Sequence, residues 1–220
     1  MLNQVEFFNS RGIGVYFTFS NNILTPHHLQ DEICNRVLKM FENPLNGVII
    51  SSPILYEHVK KIAPKYKTIF SLTNVVYDKN RLLNIANDYD LIVIPPEFNT
   101  DIAFLKQFPP EKIELVINES CVPYCKYKKE HYTFFAKKYL GLLKSERAYI
   151  CRHNFERETM VLSMKNMREI MIATNISCFK LVSRVPYYEA IKIFSTYFVK
   201  EEYAETFCIY MKGLCLNSKT

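Results

Sequence analysis

Short apolar runs alternate with stretches of helical period over the first 120 residues. VYFTFS (15–20), GVIIS (47–51), KTIFSL (67–72), LIVIPP (91–96) and IELVIN (113–118) read as strands. Thr25-Pro26 opens a helix in which Leu29, Ile33, Val37, Leu38 and Phe41 recur at helical spacing, with Pro26 tolerated in the first turn. Residues 53–65 read as a second helix with Leu55, Val59 and Ile62 on one face, LLNIA (82–86) lies on a third, and a short one surrounds Ile102 to Leu105. Strands that are apolar on both faces need cover on both, which parallel βαβ units provide. The pattern predicts an α/β fold: a parallel (β/α) barrel-like domain, complete or incomplete, with a doubly wound sheet as the alternative.

The alternation breaks at Cys121, where a segment rich in Lys, Tyr and Cys takes the place of a short helix. It resumes with a helix from Asn166 to Thr174, a strand CFKLVS (178–183) and a long terminal helix from Tyr187 to about Met211. The expected organisation is one domain over 1–220, a length suited to a single core, with a cysteine-containing basic insertion at 121–160 after the fifth strand.

Behind each apolar run stand Ser20-Asn21, Ser51-Ser52, Ser71 with Thr73-Asn74, Pro95-Pro96-Glu97, Asn118-Glu119 and Ser183-Arg184. Parallel α/β folds bind ligands at the carboxyl ends of their strands. Helix capping accounts for part of this polar set. From the rest, Asn118, Glu119 and Arg184 are catalytic candidates, and Ser20, Asn21, Ser51 and Ser71 are substrate-binding candidates.

Composition narrows the chemistry. Apolar residues make up 49% of the chain and charged residues 23%, which excludes a disordered or collagen-like chain. Only five glycines occur, and neither GxxxxGK[ST] nor GxGxxG is present, so nucleotide folds built on those loops are disfavoured. GxSxG and HExxH are also missing. No run reaches the roughly 18 apolar residues of a membrane helix, and the N-terminal MLNQVEFFNSRG lacks a signal-peptide layout. The expectation is a soluble, cytoplasmic protein with no membrane partner.

Net charge is +6, and it is local. Residues 1–110 carry ten Lys/Arg and ten Asp/Glu, whereas 121–168 carry eleven against four. A basic window of this kind suits RNA or another phosphate-bearing substrate, and Lys128, Lys129 and His131 are its candidate contacts. A solvated helix face is the plainer explanation.

Seven cysteines without an export signal point to thiol or metal chemistry more than to a disulfide framework. NESCVPYCKYKKEHY places Cys121 and Cys125 four apart across Pro123, a loop able to wrap a metal or cluster; Cys151 and His153 follow in YICRHN, and Cys178 begins the last strand. Structural thiols are the competing reading, and Cys34, Cys208 and Cys215 are expected to be core or incidental. Cys121 with His131 or His153 could also form a nucleophile pair.

The stretch MVLSMKNMREIMIATNISCFKLVSRVPYYEAIKIFSTYF resembles the end of the barrel in the collagenase-like peptidase family U-thirty-two. Phe179-Lys180-Leu181 and Arg184 match its FK strand, while Val182-Ser183 replace the family's Glu-Gly. The resemblance covers about 60 residues and implies a (β/α) barrel, cysteines binding an iron-sulfur cluster, and roles in RNA or quinone hydroxylation. Carried over by position, Cys121, Cys125 and Cys151 would be cluster ligands and Cys178 the fourth. The leading expectation is an iron-sulfur-dependent enzyme modifying an RNA base or an aromatic or anionic small molecule, with zinc as the alternative metal. A binding or scaffold protein with structural thiols and a cysteine-dependent hydrolase are the alternatives.

Overall fold

A computed structural model describes residues 2–119, 121–144, 148–150, 160–182 and 187–217. In chain order the main elements are α1 (Leu2–Asn9), β1 (Tyr16–Phe19), α2 (Glu32–Met40), β2 (Gly47–Ile50), α3 (Pro53–Ile62), β3 (Lys67–Phe70), α4 (Lys79–Asp88), β4 (Leu91–Ile94), α5 (Ile102–Leu105), β5 (Ile113–Val116), β6 (Asn118–Glu119), α6 (Lys128–Tyr139), β7 (Met160–Val161), α7 (Met164–Thr174), β8 (Phe179–Lys180), α8 (Tyr187–Phe198) and α9 (Glu201–Asn217). Side-chain caps set several helix starts. Asp31, Asp78, Asp101 and Ser163 accept from the backbone N–H of Cys34, Arg81, Phe104 and Asn166 at 2.8 to 3.1 Å.

Six strands form one parallel sheet in the order β1-β2-β3-β4-β5-β8, while β6 and β7 form a small antiparallel pair. A doubly wound sheet reverses its strand order partway; here the order never reverses, and the sheet winds in one direction as a curled half-barrel. The curl is felt electrostatically. Burial, then Cys178 and Glu114, push the Tyr16 phenol up, although these partners stand five and four strands away in the pairing order.

Alternation along each strand sorts the core. Val48, Ile50, Phe70, Ile92, Ile94, Ile113 and Leu115 face the helices and pack with Leu38, Leu55, Val59, Leu82 and Ala86 in a core that reaches from Val5 to Tyr197. On the opposite, concave face, Ile49, Ile69, Leu91, Val93 and Val116 form a second cluster. Gly47 lets neighbouring side chains close in there: a Cβ would stand 2.6 Å from Ile69 Cδ1 and 3.0 Å from Tyr16 Cδ1 and would push them aside.

Several elements differ from the expected ones. The first expected helix is split: a 3-10 turn spans Pro26–Gln30, and Asp31 then caps α2, turning Ile33 outward at 75% exposure while Leu38 and Phe41 stay buried. Cys34 is exposed and lies off the core. The terminal helix breaks at Val199-Lys200, and α9 folds back on α8, with Cys208 Sγ 3.3 Å from Ser195 Oγ. The insertion contains the twelve-residue helix α6. Among the described residues no helix is long and apolar enough to cross a membrane.

Candidate functional site at the carboxyl ends of the strands

Ser20, Ser51 and Ser71 follow β1, β2 and β3, and they converge on Thr73. Its hydroxyl donates to the Ser20 carbonyl (3.3 Å) and is hydrogen-bonded to Ser71 Oγ (2.9 Å) and Ser51 Oγ. Ser51 and Ser71 are buried, so this network closes the floor of the mouth. Asn21 Oδ1 accepts from Ile23 N (3.0 Å) and Asn21 Nδ2 donates to the Ala136 carbonyl on α6 (3.0 Å). That contact fastens α6 over the strand ends as a roof.

The other end of the roof is held by an ionic centre. Pro95 and Pro96 turn the chain sharply after β4 and leave Glu97 with a wholly buried side chain. Glu97 Oε1 accepts from Tyr77 Oη (3.1 Å), Tyr124 N (3.2 Å) and Lys128 Nζ (3.4 Å). Glu97 Oε2 is buried and has no hydrogen-bond partner. Lys128, the first residue of α6, is 3% exposed and lies 3.9 Å from Glu119 Oε2, while Glu119 Oε1 accepts from Cys121 N (3.1 Å). Tyr124 takes a left-handed backbone, φ 49°, to deliver its N–H, a conformation that costs an L-residue about 1 kcal/mol. Burial and Glu97 push the Tyr77 phenol well above its usual range. Burial, then the adjoining Cys125 thiol, push Cys121 up to about 11, with Lys128 pulling the other way.

Removing a lysine and two carboxylates from water is expensive, and mutual attraction repays it only when the remaining hydrogen bonds are satisfied. Here one carboxylate oxygen is left over. Asn22 Oδ1 after β1, Asn74 Nδ2 after β3 and Asn99 Oδ1 after β4 are buried and unpartnered as well. Buried polar atoms are nearly always satisfied, so four exceptions at one end of the sheet single it out as the candidate site.

The expected site residues fall into distinct groups. Asn118 uses its whole amide on one residue, donating to the Val182 carbonyl and accepting from Val182 N, both at 2.7 Å; this clamps the chain beyond β8. Lys128, expected as a substrate contact, is a buried member of the ionic centre. Lys129 is exposed and, with Phe134, Lys137 and Tyr149, lines a groove of about 760 Å³ on the outer side of α6. His131 stacks on Tyr149 with ring centroids 4.5 Å apart. Cys178 stands beside Glu114, its thiol 3.7 Å from Oε1, and burial followed by Glu114 pushes it up to about 11. Glu114 in turn pairs with Lys180 at 3.3 Å. In the strand register Cys178 lies level with Glu114, five residues before Glu119, which at about 3.3 Å per residue is roughly 16 Å. It is therefore not brought to Cys121 and Cys125. Cys151, His153 and Arg184 lie outside the described residues.

Among the described residues no three His, Cys, Asp or Glu side chains are grouped to hold a metal ion. Of the expected cluster ligands, the described residues bring together Cys121 and Cys125, while Cys151 lies outside them. The residues at the centre of the observed site are Glu97, Tyr77, Asn22 and Asn74. Glu97, Asn74 and Asn22 carried a signal, since each stands at or beside the end of an apolar run; Tyr77 carried none.

Fold and site together define a parallel α/β half-barrel whose carboxyl-end mouth is roofed by a helix and centred on a buried carboxylate-lysine pair. No protein-family model, curated protein or solved structure matches this chain.

Proposed function

We propose that this chain is an enzyme that encloses a small polar molecule between the carboxyl ends of its strands and α6. The observation carrying this reading is the wholly buried Glu97 side chain, with one oxygen taking three donors and the other taking none. Glu97 Oε2 is the atom to accept a hydrogen bond or a proton from the bound molecule; Lys128 and Glu119 set the local charge, and Asn22 and Asn74 supply further polar contacts. A thiol hydrolase fits poorly, because a thiol pushed up to about 11 is protonated at neutral pH and is a weak nucleophile.

The test is a thermal-stabilisation screen of small polar compounds, followed by hydrogen exchange. A compound bound in the mouth slows exchange in α6 and in residues 71–77, and folded Glu97→Gln weakens it. Stabilising compounds that leave both segments unchanged would defeat this reading and favour a scaffold role in which the centre only ties the cysteine loop to the sheet.

An iron-sulfur enzyme of the kind the family resemblance implies is the second reading. The neighbouring thiols of Cys121 and Cys125, on the loop that Glu97 holds, favour it. It requires Cys151 and a further ligand. Iron and sulfide content after anaerobic purification, with zinc measured alongside, decides between cluster, single ion and structural thiols.

A further inference from the structure

The buried centre also selects the kind of molecule it takes. Resting on the small-molecule reading above, we infer that the ligand is a small organic cation, an amine or amidine whose N–H groups meet Glu97 Oε2. Glu97 Oε1 receives Tyr77 Oη, Tyr124 N and Lys128 Nζ at 3.1, 3.2 and 3.4 Å, whereas Oε2 of the same buried carboxylate receives nothing. A carboxylate oxygen buried from bulk solvent can only accept, so the group that satisfies it is a donor. The missing partner is thus a donor.

Charge points the same way. Among the described residues, Glu97 and Glu119 share one ammonium, that of Lys128, at 3.4 and 3.9 Å, so two carboxylates stand against one cation there. A cationic ligand cancels the excess, and an anionic one doubles it.

The other unpartnered atoms at this end agree with a donor-rich ligand. Asn22 Oδ1 and Asn99 Oδ1 are acceptors without donors, and Asn74 Nδ2 is the one leftover side-chain donor among the described residues there. Together with Glu97 Oε2, three acceptors stand open against one donor. An amine or amidine brings two or more N–H groups and a positive charge; a carboxylate or phosphate brings neither.

The experiment is calorimetric titration of the full chain with methylammonium, ethanolamine and agmatine, compared with acetate and inorganic phosphate at matched ionic strength. At least one amine is expected to bind saturably, one per chain, and at least tenfold tighter than either anion. Glu97→Gln should weaken that amine at least tenfold, whereas Lys128→Met, which removes the competing ammonium, should tighten it. If either variant does not fold, the wild-type contrast between amines and anions decides alone. Saturable binding of phosphate or acetate in the mouth, without amine binding, overturns the cation assignment and leaves the small-molecule reading standing. Equal amine affinity in wild type and folded Glu97→Gln overturns it too. Failure of every probe also overturns it, and if no compound slows exchange in α6, the small-molecule reading falls with it.

Discussion

Asn118 and Glu97 stand at the same end of the sheet, and their polar atoms meet opposite fates. Asn118 gives both amide atoms to Val182, 64 positions away in the chain, so its side chain acts as an extra rung between β6 and the segment beyond β8. Glu97 keeps one oxygen free. Replacing Asn118 by Ala removes two hydrogen bonds from partly buried partners, and Asn118→Ala should lower the unfolding free energy by about 1–3 kcal/mol in urea titration with an unchanged slope. Compounds bound in the mouth should keep their affinity in this variant. A large loss of binding with intact stability would show that the Asn118 amide reaches the ligand after all. In the sequence the two residues look alike, as polar positions behind apolar runs. Which of them keeps an open atom depends on distant chain segments that local pattern does not place.

At the scale of an element, α6 has two faces with different duties. Lys128 and Ala136, eight apart, turn inward and are buried, while Lys129, Thr133 and Lys137 recur every fourth residue along the outer groove. The basic window therefore divides. Lys128 pairs with the buried Glu97 and the partly buried Glu119, and Lys129 and Lys137 remain for a phosphate-bearing partner. If single-stranded RNA lies in that groove, Lys129→Glu with Lys137→Glu should flatten the dependence of log affinity on log salt by about 1.4, at roughly 0.7 per phosphate contact. An unchanged slope, or no RNA binding in wild type, would leave these lysines as solvated surface. Lys128→Glu does not serve this test, because it places a third carboxylate in the ionic centre. The sequence shows the run of lysines plainly, but not which one turns inward, since Glu97 is recruited from 31 positions upstream.

The whole half-barrel decides which cysteines can act together. Strand direction places Cys121 and Cys125 at the carboxyl end and Cys178 at the amino end, beside Glu114 and Lys180. If anaerobically purified protein carries iron, Cys121→Ser and Cys125→Ser should each lose most of it, since a hydroxyl is a harder and far less acidic ligand. Cys178→Ser should retain the wild-type iron content. Loss of iron in Cys178→Ser, with the fold intact by circular dichroism, would contradict the separation of the two ends.

The sequence by itself determined the strand-helix alternation, the parallel sense of the sheet, and the helices near 53–62, 79–88, 102–105 and 164–174. These follow from periodicity and capping, which act over one or two turns of chain and are written in neighbouring residues. Breaks at Asp31 and at Val199-Lys200 lie at the limit of that signal: Asp31 is readable as a cap only once Ile33 is known to face outward. Tertiary structure alone decided that the sheet curls in one direction, that α6 roofs the mouth, that Lys128 is buried and that Cys178 stands apart. The contacts responsible join residues 31 to 115 positions apart. Each needs distant segments packed on the curled sheet before its partners meet, so the requirement lies in the packed whole and not in any local stretch of the chain.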